Sequence, residues 1–103
     1  MKDISKETSF GYKKELFHLN ENPTIEIITF LREGREHKHD VFETFVVLEG
    51  SGIVYSGEQS IPVSVGDIIT IPPNTIHWME PEQGGTLSGF LWYHDTQCRY
   101  HCS

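Results

Sequence analysis

The chain alternates apolar and polar residues over short runs, and glycine, proline or asparagine separates one run from the next. Thr24-Ile25-Glu26-Ile27-Ile28-Thr29-Phe30-Leu31 is rich in β-branched and aromatic residues, which suit a pleated, half-buried surface, so a strand is expected there. Glu33-Gly34-Arg35-Glu36 breaks that run, and Glu43-Thr44-Phe45-Val46-Val47-Leu48 opens the next strand. After Glu49-Gly50-Ser51-Gly52, Ile53-Val54-Tyr55 reads as a short strand, Ser56-Gly57-Glu58-Gln59 as a hairpin turn, and Ser60 to Val65 as its return. Pro62 cannot donate to a ladder, so the return is expected at a sheet edge. Gly66-Asp67 turns into Ile68-Ile69-Thr70-Ile71, Pro72-Pro73-Asn74 makes a rigid bend, Glu82 to Gly85 another turn, and Thr86 to Tyr93 the last long strand. Short strands with turn signals roughly every ten residues point to an all-β sandwich or barrel. No stretch has a sustained helical period, and Lys13 to His18 would give a single helical turn at most. Residues 1–15 read as a polar arm in which Phe10-Gly11-Tyr12 offers an edge strand, 16–94 as one barrel, and 95–103 as a tail.

A length of 103 residues bounds this to one domain with a modest core. Eight basic against fifteen acidic residues leave a net charge of -7, a surface that repels nucleic acid and anionic membrane, so neither is expected as a partner. No apolar run approaches the roughly 20 residues of a membrane span, and the first residues are charged, so the expected location is cytoplasmic.

Chemistry concentrates between His37 and His77. His37, His39, Glu43 and His77 are three imidazoles and a carboxylate, the donor types that a divalent transition metal takes from a protein. His37 and His39 are two apart and share a face of an extended strand. Glu43 cannot continue that strand and reach the same ion. Six residues of extended chain would carry it roughly 20 Å from His37, whereas ligand atoms lie about 2 Å from a metal. The chain must therefore turn through Asp40, Val41 and Phe42, and His77 must arrive from a later strand. The bland alternative is four polar strand residues facing solvent. Three neutral imidazoles and one carboxylate leave a divalent centre with a net positive charge, and an octahedral ion would keep two positions open.

These residues resemble the two motifs of the cupin family. The first runs through His37, His39, Glu43 and Gly50, and the second through Gly66, Pro72, Asn74 and His77. Leu31 stands where the first motif has an early glycine, Asn74 where the second has one, and Pro81 where the second ends on a polar residue. None of these departures removes a candidate ligand, and Asn74 tolerates a left-handed backbone better than most residues. The resemblance implies a double-stranded β-helix, or jelly-roll barrel, with His37, His39, Glu43 and His77 holding a divalent metal. Fe(II) is favoured, with Zn, Mn, Ni or Cu as alternatives. It also implies a homodimer and a small-molecule substrate or ligand. It favours a dioxygenase-like oxidoreductase, in which Glu43 is the ligand best able to leave the metal and carry a proton. A non-catalytic binding or sensor protein, a metal-dependent isomerase or lyase, and a closed structural metal site remain alternatives, because this fold hosts many chemistries.

Outside the ligand set, Phe45 shares strand parity with Glu43 and is expected to point into the barrel beside the metal, as part of the substrate pocket. Phe90 and Trp92 share a face of the last strand and are expected to line the pocket, while Trp78, next to a ligand, should point away from it. Arg32 and Arg35 precede the ligands and are expected on the solvated surface. His94, Cys98, His101 and Cys102 contain zinc-binding residue types at a spacing that matches no strong zinc motif, so reduced thiols on a lightly packed tail are expected.

Overall fold

The computed structural model describes residues 5–19 and 22–95. Eight strands, with no helix among the described residues, run in the order β1 (Ser5–Glu7), β2 (Gly11–Leu19), β3 (Asn22–Phe30), β4 (Phe42–Ser56), β5 (Gln59–Ser64), β6 (Ile68–Ile71), β7 (His77–Pro81) and β8 (Leu87–His94). Every pairing is antiparallel.

The long β4 belongs to two sheets. Its first half lies between β8 and β6, in a sheet that continues from β8 to β3, β2 and β1. Its second half lies between β5 and β7. The sequence suggests a break at Glu49 to Gly52, but the chain passes through as one strand with a bulge between Val47 and Glu49. Gly50 makes that passage possible. Its φ is 80°, and a Cβ there would lie 1.8 Å from the Thr86 carbonyl oxygen, so no side chain fits. Pro62 sits on β5, an edge strand as expected.

The segment expected as a polar arm is instead woven into the sheet. β2 pairs with β3 from Gly11 to Leu19, so the boundary expected at residue 15 falls inside a strand, and the helical turn suggested for Lys13 to His18 is extended chain. Pairing with the apolar β3 outweighs the weak local preference of that polar stretch.

Parity along the first sheet sets what faces inward. Ile28, Phe30, Phe45, Val47, Val54, Val63, Ile71, Met79, Leu87 and Leu91 form the buried core. Opposite them on the outer face, Ile27, Phe90, Val46 and Ile68 stand side by side across β3, β8, β4 and β6.

Candidate metal centre

Four polar side chains are brought to the inner end of this barrel by three separate pieces of chain. His37 and His39 lie on the irregular stretch between β3 and β4, which bends at Asp40 and Val41 before β4 starts. The turn required between His39 and Glu43 is thus present. Glu43 is the second residue of β4, and His77 is the first of β7. Two backbone bonds clasp His37 to His77: His37 N–H donates to the His77 carbonyl at 3.1 Å, and His77 N–H to the His37 carbonyl at 2.9 Å. The Asn74 N–H donates to the His39 carbonyl at 2.6 Å. Asn74 adopts a φ of 58°, the left-handed bend that a glycine would otherwise supply.

One donor atom from each of His37, His39, Glu43 and His77 lies within 4.8 Å of all the others. Glu43 and His77 are each 1% exposed, whereas His37 is exposed and His39 half-buried. The cluster is therefore closed behind and open in front. Backbone carbonyls fix two tautomers. His37 Nδ1–H donates to Arg35 O at 2.8 Å, and His77 Nδ1–H to Thr75 O at 2.8 Å. A neutral imidazole so held turns an Nε2 lone pair toward the cluster.

The donors then outnumber what they can give one another. Glu43 Oε1 lies 3.1 Å from His77 Nε2 and 3.3 Å from His39 Nε2, and His39 Nε2, although buried, makes no hydrogen bond among the described residues. Lone pairs facing a carboxylate repel unless a positive charge lies between them. A proton on His77 satisfies one contact, whereas a divalent cation satisfies all of them. Ligand atoms about 2.1 Å from an octahedral ion sit about 3 Å apart when adjacent, which is close to the two distances from Glu43 Oε1 to His77 and His39. The residues fit a divalent metal.

The protonation preferences agree with strong coupling. Burial alone would raise the Glu43 carboxyl, but the His39 and His77 imidazoles beside it outweigh burial and hold it at about 2. Burial lowers the His77 imidazole, and the Glu43 carboxylate more than compensates, leaving it above its ordinary value. His37 is lowered, chiefly by burial and further by neighbouring His77, against the pull of the Arg35 carbonyl.

A cavity of about 410 Å³ opens onto the cluster. His37, His39 and Glu43 form one end; Phe10, Ile28, Phe30, Met79 and Leu91 give apolar walls; Lys13, Glu26, Arg35 and Tyr93 add polar groups. The expectation that Phe45, Phe90 and Trp92 line the pocket needs correcting. Phe90 pairs with Val46 and Trp92 with Thr44, the outward-facing residues of β4, and Trp92 is 49% exposed. Their neighbours Leu91 and Tyr93 take the inner positions. Phe45 does point inward, at 0% exposure, but it packs in the core and not on the cavity wall. Trp78 stacks on Tyr55, its Nε1–H donates to Glu33 at 2.8 Å, and it contributes to the cavity rim. Arg35 is exposed at that rim, and Arg32 donates to the Ser9 carbonyl. His94 engages Thr44 Oγ1 at 2.8 Å and stacks on Phe42; Cys98, His101 and Cys102 lie outside the described residues. Tyr93, Leu91 and Glu26 are the wall residues that the sequence reading missed. The signal for them was register: the inward parity of Glu43 fixes that of Tyr93, its partner on β8.

Residues 25–92 match the family model described as Cupin domain. A gentisate 1,2-dioxygenase from Haloferax sp is 34% identical over 53 residues, a stretch that covers 52% of this chain and 15% of that protein. The chain therefore spans a small part of that relative's length. A solved structure described as a predicted oxalate decarboxylase from Thermotoga maritima superposes with a TM-score of 0.75 at 16% identity, covering 92% of this chain and 91% of that one. A cupin-like protein from the same organism gives 0.74 at 20% identity, covering 92% and 83%. A cupin-2 domain from Rhodospirillum rubrum gives 0.72 at 16% identity, covering 85% and 62%. At these identities the structural likenesses establish the fold, the double-stranded β-helix expected from the sequence.

Proposed function

We propose that this chain, which belongs to the cupin domain family, is a metal-dependent oxidoreductase of dioxygenase type acting on a small organic molecule. The observation that carries the reading is the convergence of His37, His39, Glu43 and His77 within 4.8 Å at the inner end of a cavity. The relative's dioxygenase name supports the reaction class over about half of the chain.

His37, His39, Glu43 and His77 would hold the metal, with Fe(II) favoured and Zn, Mn, Ni or Cu also suited to the donor set. An Fe(II) ion bound there would supply Lewis acidity toward a chelating oxygen group and electron transfer with dioxygen. The protein supplies the rest. The Arg35 and Thr75 carbonyls hold the imidazoles in one tautomer, so the Nε2 atoms need no reorganisation. Ile28, Phe30 and Leu91 keep water from a bound molecule. Burial, with the Glu43 and Glu26 carboxylates, pushes the Tyr93 phenol well above its usual value, so it stays a hydrogen-bond donor. In the metal-free chain His39 and His77 outweigh burial and hold Glu43 at about 2, a weak base. It carries a proton only when an oxygen turns away from His39 and His77.

A second reading, a binding or sensor protein, draws on one feature: Glu26, the buried carboxylate on the described cavity wall outside the ligand set, is held by Tyr93 and Lys13 and so is poorly placed to act as a separate base. Oxygen uptake by the Fe(II)-loaded protein, offered diketones, catechols, thiols and keto acids, separates the two. Sustained uptake with one of these classes supports the oxidoreductase; saturable binding without turnover supports the sensor.

A further inference from the structure

Two strands away from Glu43 on the same inner sheet face, the cavity wall holds a second buried carboxylate. Glu26 is 1% exposed and faces inward from β3. Tyr93 Oη–H donates to its Oε1 at 3.0 Å. Its other oxygen, Oε2, is buried and has no hydrogen-bond partner among the described residues. Lys13 Nζ stands 3.3 Å from Oε2, close enough to balance charge but outside hydrogen-bonding geometry. A buried carboxylate oxygen left without a donor is costly, and a ligand that brings one recovers that cost.

We propose that Glu26 and Lys13 form a hydroxyl-reading pole, so that the cavity takes a small bifunctional molecule with chelating oxygens at one end and an alcohol or phenol at the other. This rests on the reading of the histidine cluster as a metal centre. A hydroxyl group donates and accepts at once. Its hydrogen suits Glu26 Oε2, and its oxygen suits the Lys13 ammonium. An amine in the same place would meet the Lys13 charge, and a carboxylate would meet Glu26. Position matches as well. Glu26 is opposite Leu91, and Glu43 opposite Tyr93, on strands flanking β8. Two strand spacings and a two-residue offset along β8 separate the two backbone positions by roughly 12 Å, so with both side chains reaching inward a ligand of one ring's size touches both poles. Ile28, Phe30 and Leu91 line the wall with them and suit its apolar middle.

The test uses the full chain loaded with Zn(II), which is redox-silent, and calorimetric titration with two pyranone chelators. Kojic acid carries a hydroxymethyl group away from its chelating oxygens, and allomaltol carries a methyl in the same position. The wild-type protein should bind kojic acid about tenfold more tightly, as one charge-assisted hydrogen bond allows. In E26Q that preference should fall to within about twofold, while allomaltol binds as before, which shows that fold and metal are intact. K13M should also reduce the preference and keeps the test decisive if E26Q fails to fold. Equal binding of the two probes by wild type, or an undiminished preference in the variants, would overturn the hydroxyl pole and leave the metal centre standing. Failure of Zn(II) to bind, or of both probes to bind the loaded protein, would overturn both.

Discussion

His77 stands at the junction of fold and chemistry. Its backbone closes the two bonds to His37, its Nδ1–H is spent on the Thr75 carbonyl, and only Nε2 remains for the site. His77→Ala keeps the backbone clasp, so it should cost little stability while metal is lost. Removing an outer partner of a ligand already weakens metal binding by roughly 10–100-fold, and removing the ligand itself should do at least as much; metal content per chain after gel filtration checks this. Acidity acts in two ways. Glu43 lies below its ordinary value, so in metal-free protein it adds stability above pH 4.5, which is lost as pH falls toward about 2. His77 lies above 6.5, so its pairing adds stability at lower pH and loses it as pH rises through the raised value. Metal needs the neutral ring and competes with that proton. In a nuclear magnetic resonance titration of metal-free protein, His77 should change protonation above pH 6.5 and His37 below it. One equivalent of Zn(II) should abolish both transitions, and their persistence with Zn(II) present would speak against histidine ligation.

Among the elements, β4 binds the molecule together, because it alone runs through both sheets. Gly50 is where it changes sheets. Gly50→Ala would place a Cβ against the Thr86 carbonyl in a left-handed conformation, and should cost about 3 kcal/mol or more. Gly84 has a similar φ of 78° but open space around it, so Gly84→Ala should cost only about 1 kcal/mol. Urea unfolding of both variants compares them, and equal losses would show that Gly50 is not specially confined. The same elements show what was legible beforehand. β-Branched runs, Pro62 and the glycine and proline turns mark most strands, since local composition decides them. The bend between His39 and Glu43 follows from reach alone. β2 was hidden because its polar sequence gains strand character only by pairing with β3. The faces of Phe90 and Trp92 were hidden because parity within β8 says which residues share a side and not which side is inner; only register with β4 decides that.

For the molecule as a whole, the outer row of Ile27, Phe90, Val46 and Ile68 matters most. Ile68 is 64% exposed and Trp92 49%, and a sheet face this apolar is better covered than wet. We propose a homodimer through this face. Sedimentation at micromolar concentration should give a dimer for wild type and a folded monomer for an Ile68→Lys, Trp92→Glu double variant. A wild-type monomer would remove the proposal.

Equilibrium dialysis of the full chain against Zn(II) bears on the site before any substrate is known. One tightly held ion per chain is expected for wild type, falling to none when His37 and His39 are both replaced by alanine. A wild-type chain that takes up no ion, or a double variant that holds its ion as firmly, would show that these four side chains meet for some other reason.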